Sequence, residues 1–464
     1  MIFKNGKATD IKITYIGGGS RGWAWNFMTD LAKTDDMSGE IRLYDIDRAA
    51  AENNAIIGNS LKGRSGVTGE WDYNVYDSLA TALPGSDFVV ISILPGTFDE
   101  MEADVHMPEK YGVYQSVGDT AGPGGIMRAM RTIPQFVEIA EAVKKYSPDA
   151  FVINYTNPMS LCVKTLYTVF PEIHAFGCCH EVFGTQKMLL GILRELGLAE
   201  GREFHDIHVN VQGINHFTWF NTASYKGIDI FPIYREYIEK HFDEGFFEGT
   251  YDPSDTFKFK NRVKFDLFRK YGLIAAAGDR HLVEFMPGDI YLKNPETVRS
   301  WDFGLTTVAW RKKDLENRLE KSRKLVSGEK PFELRDTEEE GVLLIRALCG
   351  FERNISNVNL PNSALQIPNL PADAIVETNA MFEKGAIRPV YAGPIEEEVR
   401  ELILPHIENH KRCIEAATTG NRNLVEEAFA NDPLIKGRLT SEQIKSLVND
   451  MLEATKKYLP NFFK

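Results

Sequence analysis

Apolar and polar positions alternate through residues 11–16, Ile-Lys-Ile-Thr-Tyr-Ile, which is the period-two pattern of a half-buried strand. The run ends in Gly17-Gly18-Gly19-Ser20-Arg21-Gly22, and Trp23 to Lys33 then takes helical spacing. Glu40 to Tyr44 reads as a second strand closed by Asp45, and Asp87 to Leu94 as a nearly continuous apolar strand closed by Pro95-Gly96. Helical periodicity runs from Ile126 to Tyr146 through Ile133, Phe136, Val137, Ala140 and Val143, and Ala150–Ile153 and His174–Gly177 read as further strands. Strands that alternate with helices pair in parallel through right-handed crossovers. Residues 1–200 are therefore expected to form a doubly wound parallel α/β domain.

The pattern changes after residue 200. Ile207, Val209 and Val211 alternate, and Phe217 to Tyr225 before Lys226-Gly227 looks like the return arm of a hairpin. Charged helices are expected at Lys312–Val326 and Asp336–Leu348, an extended Pro- and Asn-rich region at Ile355–Pro394, and helices from Glu396 onward. Residues 201–464 thus read as a second, mixed α+β domain, with the chemistry in the crevice between the two and with some carboxy-terminal helices packing back on the first.

Composition narrows the partners. The 464 residues are 43% hydrophobic and 26% charged, an ordinary globular balance. A net charge of −13 offers no phosphate-neutralising surface, which argues against nucleic acid and anionic membrane. Any anionic substrate then needs a local cluster of cations. Five cysteines without framework spacing, and no signal-like or membrane-length apolar run, fit free thiols in a cytoplasmic protein.

Gly17, Gly19 and Gly22 fit G-x-G-x-x-G between a strand and a helix, the Rossmann-like turn in which backbone N–H groups meet a pyrophosphate. Ser20 lies in the same turn. Asp45, at the end of the next strand, is placed to accept from ribose hydroxyls and to repel a 2′-phosphate, so NAD is expected over NADP. Taken alone, the turn is equally a glycine-rich connection with no ligand.

Cys179 and His180 follow the strand His174–Gly177, at the carboxyl end of the sheet where such folds bind ligands. Cys179 with His216 would give a soft metal pair that leaves positions open for substrate; bare, the pair also reads as a buried thiol and a core histidine. Asp119, a candidate catalytic acid, opens the glycine-dense loop Asp119–Gly125, and Arg128 and Arg131 follow on one helix face as candidate anion holders. Asn154 and Asn157 are candidates for sugar hydroxyls, or alternatively for turn and capping bonds. Gly278-Asp279-Arg280-His281-Leu282-Val283-Glu284 concentrates an acid, a cation and an imidazole.

These motifs together resemble glycoside hydrolase family 4, the NAD-dependent glycosidases. The resemblance is carried by Ile16–Ser20, Gly118-Asp119-Thr120, Asn154-Tyr155-Thr156-Asn157-Pro158, Cys179-His180-Glu181-Val182, Asn215-His216 and Asn369-Leu370-Pro371-Ala372-Asp373-Ala374 with Val376-Glu377. Cys-His-Glu-Val is similar to the α-galacturonidase branch. The resemblance implies a lactate/malate dehydrogenase-like second domain, a homo-oligomer (dimer or tetramer), and a redox-neutral hydrolysis. In that reaction the sugar is oxidised at C3, deprotonated at C2, loses its aglycone by elimination, takes water at C1 and is reduced again. It also implies Mn²⁺ or another divalent ion on Cys179 and His216, His180 as the leaving-group acid, and Asp279 or His281 as the C2 base. Arg280, Arg128 or Arg131 would pair with a uronate carboxylate. An α-glucuronidase, a neutral α-glucosidase or α-galactosidase, a lactate/malate-type dehydrogenase and a non-catalytic NAD sensor remain open at this point.

Overall fold

In the computed structural model, which describes residues 1–463, a ten-stranded sheet forms the backbone of the fold. Six of its strands pair in parallel: Glu70–Val75, Met37–Tyr44, Lys7–Ile16, Phe88–Ile91, Phe151–Asn154 and His174–Gly177, in that spatial order. The short strand Ile2–Lys4 folds back antiparallel on Lys7–Ile16. Strands buried on both faces read as apolar runs, and Phe88, Val89, Val90 and Ile91 are all fully buried.

The chain does not divide once at residue 200. Residues 354–389 return to the first sheet as three antiparallel strands, Asn354–Pro361, Ile375–Glu383 and Ala386–Pro389. The join is at Asn359 opposite Gly177. A Cβ at Gly177 would crowd Met159 of the following helix at 2.2 Å and Asn359 Cβ of the incoming strand at 3.1 Å. Apolar burial drives the return: Val358, Leu360, Ala380 and Phe382 join the core of the first domain, with Phe382 edge-on to Phe176 at 5.1 Å. The region expected to be merely extended therefore belongs to the nucleotide-type domain, on whose helices Gly122–Tyr146 and Met159–Val169 the later helix Glu397–Thr419 also packs.

A second, four-stranded sheet holds Ile207–Ile214, Phe217–Tyr225, Ile228–Asp229 and Ile274–Ala275. Between the sheets runs the 25-residue helix Gly122–Tyr146, started by Pro123 and ended by Lys144 and Lys145 near its carbonyls. Its apolar face packs on Glu397–Thr419. The helix expected over Asp336–Leu348 begins only at Gly341. Residues 336–340 stay outside the helix because their polar groups bond elsewhere: Thr337 to Asp30, and Glu340 to His205 and Ser356. No helix among the described residues is long and apolar enough to cross a membrane.

Candidate active site

The glycine turn is shaped by close approach. A Cβ on Gly17, which has φ +91°, would meet the Ser92 carbonyl at 2.0 Å, and one on Gly19 would meet Ala50 Cβ at 2.5 Å. Asp45 accepts from Gly19 N–H at 2.8 Å and from Asp47 N–H at 2.9 Å. Burial raises its pKa despite those two donors. Ser20 closes the turn onto the Gly17 carbonyl, and Gly22 precedes the helix Trp23–Ala32. Asn54 was not anticipated. Its amide donates to the Gly18 and Ser20 carbonyls and fixes the loop from behind. The N–H groups at the start of the helix remain available, and the turn fits a dinucleotide.

At the far end of the sheet three segments meet. One ligand atom each from Asp119, His216 and His281 lie within 4.8 Å of one another. His216 occupies a two-residue hairpin turn, between strands ending at Ile214 and starting at Phe217, with φ +63°. That conformation suits glycine or asparagine and costs a histidine on the order of 1 kcal/mol, yet it turns the imidazole into the crevice. The Thr120 hydroxyl donates to Asp119 Oδ1 at 2.7 Å and lies 3.0 Å from His216 Nδ1. Burial opposes charge on Asp119, but Arg128, His281 and His216 win and hold its carboxyl well below the usual range. An ionised Asp119 only accepts, so Thr120 must donate to it. His216 Nδ1 then carries the proton, and Nε2 presents its lone pair. Burial and the charge of His281 lower the His216 pKa to about 3, so the ring is neutral, as a metal ligand requires.

His281 packs tilted against His216, with ring centroids 3.9 Å apart and 37° between the planes. Its Nε2 is 3.7 Å from Glu181 Oε1, and its Nδ1 is buried without a partner. Burial lowers its pKa against the pull of Glu181 and Asp119. Glu181 accepts from Gly278 N–H at 2.8 Å. Burial would raise its pKa, but His281, His180 and His216 bring it to about 2. Its place beside Cys179-His180 was the only sequence signal that it sits among the imidazoles. The Asp119 carboxylate and the His216 imidazole fit a divalent cation, and the unpartnered His281 nitrogen is left free beside them.

Cys179 lies outside the compact trio. Its turn is bolted down by the returning strands: Asn357 donates to the Cys179 carbonyl at 3.2 Å and to Glu377, which also accepts from Asn215. Burial, with Glu377 and Glu181 near, pushes the thiol well above its ordinary pKa. Cys178 packs against the core of the first domain. His180 is exposed at the crevice, stacked on Trp23 at 5.5 Å, with Nδ1 3.3 Å from Glu339. Desolvation works against its charge, but the Glu339 hydrogen bond and charge hold its pKa above the ordinary value.

Three expected site residues do not face the crevice. Asp279 is fully buried, accepting from Val263 N–H at 3.2 Å and pairing with Lys264 at 3.5 Å. It starts a helical turn, so it points oppositely to His281, and as a base it is excluded. Arg131 makes a buried two-pronged pair with Asp104 and donates to the Pro95 and Met127 carbonyls, which leaves nothing for a substrate anion. Asn154 closes an Asx turn on Thr156 N–H and C=O, the turn chemistry its sequence context also allowed. Asn157 does reach the site, with Nδ2 3.4 Å from Asp119 and Oδ1 buried without a partner. Arg128 donates to the Asn157 carbonyl. Arg280 donates to the Ser116 carbonyl at 2.9 Å and to Thr306, and its Nε is buried without a partner. Glu284 receives Val117 and Gly118 N–H, and burial raises its pKa to about 7.

Comparison with known proteins agrees with this architecture. Residues 12–195 match Family 4 glycosyl hydrolase and residues 211–435 match Family 4 glycosyl hydrolase C-terminal domain. An alpha-galacturonidase of Lachnoclostridium phytofermentans is 64% identical over 461 residues, covering 99% of each chain. The alpha-galacturonidase of Bacillus subtilis is 47% identical, covering 96% of this chain and 97% of the relative. The 6-phospho-beta glucosidase of Thermotoga maritima, solved with manganese, NAD⁺ and glucose-6-phosphate, superposes with a TM-score of 0.75 at 21% identity over 97% of this chain and 99% of its own. With two family matches that together span most of its length and full-length relatives well above 30% identity, the chain belongs to the family 4 glycosyl hydrolases.

Proposed function

We propose that this protein hydrolyses α-D-galacturonides by the redox-neutral elimination route of its family. The observation that carries the reading is the meeting of Glu181, which follows Cys179-His180 in the chain, with Asp119, His216 and His281 at the carboxyl end of a dinucleotide-type sheet. The name borne by relatives 47–64% identical over nearly the whole chain supports the same substrate.

In this reading Gly17, Gly19, Ser20, Gly22 and Asp45 hold NAD, and His216 and Cys179 hold a divalent ion such as Mn²⁺, with Asp119 and His281 beside it. When bound, these groups supply a reversible hydride acceptor and Lewis acidity. The chain's own residues do the rest. His281, neutral and backed by the ionised Glu181, takes the proton from sugar C2. His180, with its raised pKa and exposed position, gives a proton to the departing oxygen. Thr120 and Asp119 hold the His216 ring in one tautomer. Arg280 and Arg128 face an anionic sugar in a protein whose net charge of −13 otherwise repels it. Five free thiols support a reducing, cytoplasmic setting, and the same reading includes a homo-oligomer.

The test is galacturonate release from a small α-linked digalacturonide, with NAD⁺, Mn²⁺ and reductant each omitted in turn. Activity should need all three, the product formed in D₂O should carry deuterium at C2, and NADH should not accumulate beyond the enzyme. Preference of the purified protein for α-galactosides or α-glucuronides, or stoichiometric NADH formation, would overturn it.

A further inference from the structure

A charged helix outside every motif of the sequence reaches this site. Val308–Val326 is capped by Thr307, and Arg311 lies in its first turns. The approach to that helix is pinned to the site's own loops: Thr306 N–H donates to the Ser116 carbonyl at 3.1 Å, and Val308 N–H donates to His106 at 3.2 Å. Arg280 shares the same anchor, donating to the Ser116 carbonyl and to the Thr306 hydroxyl. An aromatic pair ties the two arginines further. The Arg280 guanidinium lies 4.8 Å over the Phe257 ring, which packs at 4.7 Å on Trp310, the residue before Arg311.

Arg280 is 7% exposed and its Nε is buried with no partner; the Nε of Arg311, a half-buried residue, is buried with no partner too. Buried guanidinium donors without acceptors are costly unless a ligand completes them. We propose that Arg311 and Arg280 form a two-guanidinium clamp for the carboxylate at C6 of the uronide, with Arg311 as the specificity-determining arm that the family motifs do not contain. This rests on the galacturonidase reading above.

Charge bookkeeping favours an anion here. Arg131 spends its charge on Asp104. Beyond burial, the charges acting most on Arg311 are Asp119, Arg128 and Glu284, and Arg311 is the charge acting most on Arg280. Three guanidiniums therefore share these surroundings with Asp119, already engaged by Thr120 and Asn157, with Glu181, engaged by Gly278 N–H, and with Glu284, whose pKa is raised to about 7. The pocket carries a local positive excess inside a chain of net charge −13. Planar forks matched to a carboxylate are the chemistry that such an excess serves.

The experiment compares Arg311→Met and Arg311→Lys with wild type on a matched pair, p-nitrophenyl α-D-galacturonide and p-nitrophenyl α-D-galactoside, with NAD⁺ and Mn²⁺ present. Losing a charge-assisted fork should lower kcat/KM on the galacturonide by about ten- to a hundredfold, mainly through KM. The galactoside should lose far less, and Arg311→Lys should fall between wild type and Arg311→Met. Galacturonate binding to the NAD-loaded protein, read by calorimetry, should weaken in the same order, and it reports on the clamp even where a variant turns over poorly. Equal losses on both glycosides, or an undiminished preference for the galacturonide in Arg311→Met, would remove Arg311 as the reader. A wild-type protein that prefers the galactoside would instead overturn the galacturonidase reading itself.

Discussion

The two ends of the crevice are built in opposite ways. The cofactor turn is assembled mostly from residues 17–54, with Ser92 from the adjoining strand's end, and its specificity comes from backbone shape plus one carboxylate: Gly17 and Gly19 against Ser92 and Ala50, with Asp45 on Gly19 N–H. The sugar end draws Asp119, Glu181, His216 and His281 from four distant segments; neighbouring charge lowers Asp119 and Glu181 against burial, whereas burial lowers His216, aided by His281, and lowers His281 against its acidic neighbours. A turn made of backbone tolerates change around it. A cluster in which each imidazole sets the protonation of the next does not, because removing one member alters all. The comparison therefore predicts that damage at the cofactor turn stays local, whereas damage at the sugar end spreads.

His216→Ala should have the largest effect. Outer partners of metal ligands cost about 10- to 100-fold when removed, and a direct ligand should cost more, so turnover should drop below about one hundredth of wild type. Mn²⁺ retained after gel filtration should vanish, and NAD affinity, read by quenching of protein fluorescence, should stay close to wild type. NAD binding that fell in step with metal binding would break the comparison. Asp45→Ala comes next. It removes acceptors for ribose hydroxyls and for Gly19 N–H, so NAD should bind about ten- to a hundredfold more weakly, with Mn²⁺ affinity preserved. Equal weakening of both would show that the two ends are one unit.

The same contrast explains what was legible from sequence. The glycine turn, Asp45 and five of the six parallel strands are local patterns, with periodicity and spacing visible within about thirty residues, while Glu70–Val75 was not among the strands expected. Asp279 and His281 looked equivalent in the chain, but a short helical turn sends the first into a buried pair with Lys264 and the second into the crevice. Arg131 looked as free as Arg128 until Asp104, on another helix, consumed it. Arg311 was hidden inside a run of helical charges whose ordinary reading is a solvated face. The strands at 354–389 failed for a related reason. Their extended character was readable, but pairing with His174–Gly177 is a contact between segments nearly two hundred residues apart, and no local pattern encodes it.

The smallest effect is the sharpest test of how the sugar end works. Thr120 is a positioning residue whose hydroxyl is shared between Asp119 Oδ1 and His216 Nδ1. Thr120→Val keeps the shape and removes the hydrogen bonds, so the His216 ring loses the bias that keeps its proton on Nδ1 and its lone pair on Nε2. Mn²⁺ affinity should fall by about tenfold, at the lower edge of the range for such partners, while melting temperature and NAD affinity hold. Thr120→Ser should restore most of the loss, because it returns the hydroxyl without the methyl group. A purely structural role for Thr120 would give the reverse pattern, with a lower melting temperature and unchanged metal affinity. That result would mean the imidazole is oriented by packing against His281 rather than by the Asp119–Thr120 pair, and the two ends of the crevice would then differ less than their geometry implies.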